Sequence, residues 1–192
     1  MINTTQKYDF STLKGKPLAL VVMGVSGCGK TTLATTLESA IGLQAFDADD
    51  FHCAANKAHM ASGHPLTDSM REPWVKEIRE HLEYLAQQNR SCALAFSGLR
   101  RDHRNALRVG CSTVRFLFLE GSRELIHSRM KARSQHFMPL SLLDSQFETL
   151  DYPAIDETDL LKLDIHKPIA NLVDSVVSWL QQEGILQAYG VK

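Results

Sequence analysis

The 192-residue chain predicts an α/β fold, an open parallel sheet with helices on both faces, and two observations carry that expectation. The first is alternation. Apolar runs at residues 19–23, 43–46, 92–96, 114–119 and 161–165 are separated by stretches of helical character, as strands and crossover helices of one parallel sheet would be. The second is a glycine-rich turn, Gly24, Val25, Ser26, Gly27, Cys28, Gly29, Lys30 and Thr31, placed between the first run and the first helix.

Taken in order, residues 1–16 are polar and read as an N-terminal arm, and residues 17–192 as a single domain with no repeat or linker. Residues 19–23 form a continuous, partly β-branched run, the pattern of a strand buried on both faces. Leu33, Leu37 and Ile41 then share one helical face. Residues 43–46 are a weaker strand because of Gln44, and Asp47, Asp49 and Asp50 follow at its end. A polar stretch leads to the turn signal Gly63, His64, Pro65. From Arg71, a stripe of Trp74, Ile78, Leu82 and Leu85 predicts a helix and, as its ordinary role, core packing. After the third strand a short polar helix covers 101–108, the fourth strand 114–119, and another helix runs from about Ser122 toward Lys131. Residues 133–139 break periodicity, and Leu142, Leu143 and Phe147 suggest a small helix. A loop of this kind after a βα unit has the character of an active-site cover, here about 130–150. The last strand, 161–165, precedes an amphipathic helix through Leu172, Val176 and Leu180.

The turn at 24–31 fits a P-loop, and the fold is then a P-loop NTPase three-layer α/β/α sandwich. Its glycines permit close approach of phosphate, and the first free N–H groups of the helix point at the anion. Lys30 would bridge the outer phosphates, and the Thr31 hydroxyl would hold Mg2+, so ATP with magnesium is the expected cofactor pair. Thr32, next in the same turn, belongs to the expected nucleotide contacts.

Composition narrows the partners. A formal charge of -1 gives no field for nucleic acid, and the basic clusters at 100–104 and 129–133 suit small anions better than a polymer. Without a run of some 20 apolar residues no membrane span is expected. Four cysteines lack metal-ligand spacing, and Cys28 lies inside the loop, so a reducing compartment and the cytoplasm are the default. Phosphoryl transfer to an alcohol needs a carboxylate near the attacking oxygen, which Asp49 or Asp50 can provide, while Asp47 could instead cap a turn.

Longer motifs carry a specific resemblance. Phe46, Asp47, Ala48, Asp49, Asp50, Phe51 and His52, then Asn56, Lys57, Met60, Gly63, Pro65, Asp68, Arg71, Pro73 and Trp74, resemble the gluconokinase family of small P-loop sugar-acid kinases. The likeness continues through Ser97, Gly98, Leu99, Arg100, Arg101, Arg104 and Arg108, and through Arg133, His136, Phe137, Met138, Pro139, Gln146 and Leu150. It implies a fold like that of nucleoside monophosphate kinases, with five parallel strands and a mobile lid, and phosphorylation of D-gluconate on its 6-hydroxyl by ATP in a homodimer. Through it, Asp49 becomes the residue that orients or deprotonates the acceptor, with the substrate segment at about 47–75. His52, Arg71, Arg100, Arg104 and His136 become gluconate contacts, Arg71 or Arg104 gripping the carboxylate bidentately. Arg129 and Arg133 become phosphate clamps on the lid side, and Lys30 and Arg133 join Asp49 in the catalytic set.

The chain departs from the family pattern at Met70, commonly Asp, at Phe96, Gly98 and Arg100, and at His103. Met70 removes a possible carboxylate partner of Arg71, which puts the role of Arg71 most in doubt. A related kinase with another acceptor, and an ATP-binding regulatory protein with little transfer activity, remain alternative readings.

Overall fold

The computed structural model describes residues 8–9, 16–110, 112–132 and 140–188. Its main sheet has five parallel strands in the order β3-β4-β2-β5-β6: β2 (Leu18–Met23), β3 (Gln44–Asp47), β4 (Cys92–Ala95), β5 (Thr113–Glu120) and β6 (Leu160–Asp164). The register sets Val21 of the central strand beside Leu94 on one side and Phe116 on the other.

Every residue of β2 is buried, which is why its sequence is apolar without alternation. Its side chains still alternate between faces. Leu18, Leu20 and Val22 join the core layer of α1 (Lys30–Ile41) and α7 (Ile169–Gln182), with Leu33, Leu37, Val176 and Leu180. Ala19, Val21 and Met23 face the opposite layer, where α3 (Asp68–Gln87) and α4 (Arg101–Arg108) contribute Trp74, Ile78, Leu82 and Leu107. The expected stripe of α3 is therefore core. The strand β3 lies at the sheet edge, and that position tolerates its exposed Gln44, whose carboxamide accepts a hydrogen bond from Arg90.

Two further helices are α5 (Arg123–Ala132) and α6 (Leu140–Thr149). The structure adds elements that periodicity did not signal. A 3-10 turn covers Ala48–Phe51, and α2 spans Ala54–Ala61, where a polar connection was expected. Only Asn56 of α2 is buried, so the segment has no apolar stripe to read. Its tether is polar, from Asn56 Nδ2 to the Met70 carbonyl at 3.1 Å. Helix α3 begins at Asp68, before the expected Arg71, because the Thr67 hydroxyl caps it by accepting from the Met70 N–H. Pro73 lies inside that helix, beyond its first turn, and withholds the N–H that would donate to the carbonyl four residues back. Within the expected arm, β1 (Tyr8–Asp9) pairs antiparallel with β7 (Gln187–Ala188), a ladder too short to leave a sequence pattern.

Candidate active site

The phosphate loop leaves the buried end of β2 and turns into α1. Gly29 caps the helix with φ 107, a conformation that side-chain-bearing residues avoid. Gly27, with φ 80, lies so close under α5 that a Cβ there would stand 2.6 Å from Met130 Cγ. The loop is fastened to the end of the neighbouring strand by Gly24 N–H donating to the Ser97 carbonyl at 3.1 Å. Lys30 Nζ donates to the Val25 carbonyl at 3.1 Å, keeping the ammonium over the loop. The Thr31 hydroxyl donates to Asp47 Oδ2 at 2.7 Å. Cys28 is buried, and that burial pushes its thiol upward against the pull of Lys30, so it packs rather than reacts.

Two cavities meet at this loop. One is lined by Gly27, Cys28, Gly29 and Thr32 together with Arg129, Ile165, Lys167 and Ile169. Arg129 is fixed there by donating to the Ile165 carbonyl at 2.6 Å. On the other side, Ser26 and Lys30 share a cleft with Asp49, His52, Arg71, Trp74, Ser97 and Gln146. The loop thus separates two cavities, with Ser26 and Lys30 lining the one that also holds Asp49 and Gly27, Cys28 and Gly29 lining the other.

Asp49 is placed by a short chain of hydrogen bonds. Asp47 Oδ1 accepts from the Asp49 N–H at 3.0 Å, and the buried indole Nε1 of Trp74 donates to the Ala48 carbonyl at 2.7 Å. Crowding by the cleft walls raises the Asp49 carboxyl above the usual carboxylate range, Lys30 opposes the rise, and Asp47 and Asp50 add to it. The side chain nonetheless keeps 79 % of its surface open. Its direction makes Asp49 a better proton acceptor for an alcohol.

His52 stacks on Trp74, ring centroids 4.3 Å apart, and Trp74 in turn packs on Phe96. Burial, then Lys57 and Arg71, lower the His52 imidazole to about 4, so it is neutral near pH 7. Its Nε2 lies 3.9 Å from Asp49 Oδ1, a dipolar contact and not an ion pair. The Phe96 departure therefore acts through packing of this aromatic stack.

Arg71 also lines the cleft. Its NH1 donates to Asp68 Oδ1 at 3.2 Å, so a carboxylate one turn back supplies the partner that Met70 lacks.

The chain as a whole is similar to known proteins. A family model described as an AAA domain matches residues 20–153. The thermosensitive gluconokinase of Escherichia coli K12 is 38% identical over 81% of this chain and 83% of its own length. The gluconokinase of Gluconobacter oxydans is 40% identical over 74% and 80%. The chain belongs to the gluconokinase family. Among solved structures, a gluconokinase from Sinorhizobium meliloti 1021 superposes with a TM-score of 0.78 at 35% identity, covering 87% of this chain and 93% of its own. An unliganded sugar kinase from Janibacter sp. HTCC2649 gives 0.82 at 41% identity, covering 86% and 95%. The expected α/β sheet of five parallel strands is the architecture observed.

Within this gluconokinase-family fold, Lys30, Asp49, His52 and Arg71 come together as the sequence suggests, whereas two arginines are placed elsewhere. Arg104 was expected to face the sugar acid, yet it is fully buried. Its Nε and NH2 donate to both oxygens of Glu157 at 2.8 and 2.6 Å, and its NH1 to the Gly98 carbonyl at 2.9 Å. That corrects its placement: the guanidinium ties α4 to the segment after α6 and has no open face toward the cleft. Arg100 likewise is not among the cleft-lining residues and lies between Asp68 and Asp151, 3.7 and 3.9 Å away. Arg133 and His136 lie outside the described residues.

Sequence reasoning missed the double role of Asp47, which caps the turn and also accepts from Thr31. It missed the hold of Trp74 on Ala48 and the contact of Gln146 with the loop. The Asp47, Ala48, Asp49 spacing is the one signal that could have suggested the first. The others depend on contacts between distant segments.

Proposed function

We propose that this chain transfers the terminal phosphoryl group of ATP to the 6-hydroxyl of D-gluconate, giving 6-phospho-D-gluconate and ADP. The observation that carries the reading is the shared cleft. Ser26 and Lys30 of the phosphate loop and Asp49 of the acceptor segment line one cavity, so a phosphoryl group on the loop stands beside a carboxylate able to take an alcohol proton. Membership of the gluconokinase family supports the acid acceptor.

In this mechanism Asp49 orients the primary hydroxyl and receives its proton as the new P–O bond forms and the bond to the ADP oxygen breaks. Lys30 follows the developing charge on the phosphoryl oxygens. Arg71, planar and always charged, grips the gluconate carboxylate, while the neutral His52 offers a ring nitrogen to a sugar hydroxyl without adding charge beside Asp49. Thr31 and Asp47 fit magnesium, since a hydroxyl and a carboxylate oxygen 2.7 Å apart are the hard donors that ion takes. Bound there, the ion would neutralise phosphate charge. Arg129 flanks the loop, and Arg133 and His136 complete the lid side at about 130–150, with the acceptor segment at about 47–75, all within a single kinase domain. A homodimer in the cytoplasm completes the reading. No helix among the described residues is long and apolar enough to cross a membrane.

Phosphate transfer measured with gluconate, other aldonates, shikimate and nucleoside monophosphates tests this directly. Gluconate should be the preferred acceptor by kcat/KM. Preference for a different acceptor would overturn the assignment, and ATP binding without transfer to any of them would favour a regulatory protein.

A further inference from the structure

A side chain of α6 reaches across the fold to hold the phosphate loop from outside. Gln146, on the lid-side helix α6, places its carboxamide across Ser26: Oε1 accepts the Ser26 backbone N–H at 2.7 Å, and Nε2 donates to the Ser26 hydroxyl at 3.0 Å. The orientation of the amide follows from chemistry, because a backbone N–H can only donate and must face the oxygen. The residues are 120 positions apart, so this two-point contact is a tertiary link between the loop and α6.

Position gives the contact its meaning. Ser26 and Lys30 face the acceptor cleft, whereas Gly27, Cys28 and Gly29 border the opposite cavity. A phosphoryl group in transit lies between donor and acceptor, so the Ser26 N–H belongs to the end of the loop that meets the terminal phosphate. A single N–H has one hydrogen to give, and a phosphate oxygen seated there needs the donor that Gln146 Oε1 now uses. The Lys30 and Thr31 groups also rest on protein oxygens, but those oxygens belong to the loop itself and to the edge strand β3. Gln146 alone among these three acceptors belongs to a lid-side helix. Helix α6 is anchored on its other side, through Arg123 NH1 donating to Asp144 Oδ1 at 2.6 Å and the Arg123 guanidinium over the Phe147 ring. Just beyond it, Asp151 N–H donates to the Leu99 carbonyl at 2.8 Å. The helix is therefore fixed well enough to present Gln146 in a defined position.

We propose that Gln146 competes with the terminal phosphoryl group of ATP for the Ser26 N–H, making it a positioning residue that reports donor occupancy from the loop to α6. ADP, without that phosphoryl group, leaves the contact in place; ATP releases the carboxamide into the acceptor cleft. Gln146 thereby separates the charged donor from the spent one at the point where the acceptor enters. The proposal rests on the loop being the ATP site.

The test compares ATP and ADP binding by calorimetry for the unaltered protein, Gln146→Leu and Gln146→Glu, with thermal melts to establish folding. Gln146→Leu removes the competitor and should tighten ATP by about fivefold, the worth of one net hydrogen bond, with little change for ADP. Gln146→Glu keeps an acceptor on the N–H and adds repulsion, and should weaken ATP by about tenfold or more while largely sparing ADP. A residue that only packs would shift both nucleotides together. Equal shifts for ATP and ADP, or weaker ATP binding by folded Gln146→Leu, would overturn the proposal. Should the variants fail to fold, the side-chain amide resonance of Gln146 in the unaltered protein decides. It should move with a non-hydrolysable ATP analogue and stay with ADP, and an identical response to both would refute competition. If the unaltered protein binds no ATP, the phosphate-loop reading itself fails, a distinct outcome.

Discussion

Replacing Glu157 by Gln tests whether the arginine once expected at the substrate serves the fold instead. The Glu157 side chain is 1% exposed and accepts from Arg104 Nε and NH2 at 2.8 and 2.6 Å, from Arg108 NH2 at 2.8 Å and from the Ala154 N–H at 3.2 Å. Burial alone pushes its carboxyl up, but the hydrogen bonds from Arg104 and then Arg108 outweigh burial and hold the group at about 2, against an ordinary 4.5. That difference corresponds to about 3 kcal/mol of folding stability. Breaking a buried ion pair from one side costs about 3–5 kcal/mol by independent reasoning, so the two routes agree. Glu157→Gln should therefore lose about 3 kcal/mol near neutral pH, or about 10 °C in Tm for a chain of this size. Because the folded group ionises at lower pH than the unfolded one, its contribution is complete above 4.5 and disappears as pH falls toward 2. Urea unfolding of both proteins from neutral to acid pH should show the gap between them closing in that window. A loss below about 1 kcal/mol at neutral pH, or a gap unchanged by acid, would refute the reasoning. Below its melting temperature the variant should keep its gluconate KM within about twofold, since neither Glu157 nor Arg104 lines the cleft.

Further outcomes follow from the site. Asp49→Asn should lower kcat by about 10²–10⁴ with ATP affinity kept, and near-normal turnover would remove Asp49 from proton transfer. His52, lowered to about 4 from 6.5, favours folding fully above pH 6.5 and loses that contribution as pH falls toward 4. Relative to His52→Gln, the unaltered protein should thus give up about 3 kcal/mol across that interval in denaturant titrations; a constant difference would mean that the imidazole is not held neutral. Asp47→Asn removes the charged acceptor of Thr31 and should raise the magnesium concentration for half-maximal activity several-fold while sparing the gluconate KM; a change confined to KM would place Asp47 on the acceptor instead.

Sequence periodicity located the sheet well because each strand is either buried on both faces or closes one, and burial writes itself into residue type. It missed α2 because that helix is held by Asn56 rather than an apolar stripe, and β1 and β7 because two residues have no period. The phosphate loop was legible because the positive φ of Gly27 and of Gly29 restricts residue identity locally. Arg104 was misplaced for the opposite reason. An arginine after a strand in an α/β sheet suits a ligand, and its actual partner, Glu157, lies 53 residues away with nothing local to announce it. Gln146 escaped as a contact for the same cause, although its motif was visible.

The placement of β3 at the margin of the sheet has a consequence for how such a protein can change. The donor half grows from the central strand, hemmed in by neighbours on every side, where almost any substitution disturbs packing. The proposed acceptor carboxylate, Asp49, hangs from a four-residue border strand and a single 3-10 turn, steadied by the Asp47 side chain and one indole hydrogen bond. On the proposed reading, alterations around Asp49 and His52 redraw the range of accepted alcohols while phosphate binding stays intact. Innovation in this architecture has its cheapest route along the border, with the centre left untouched.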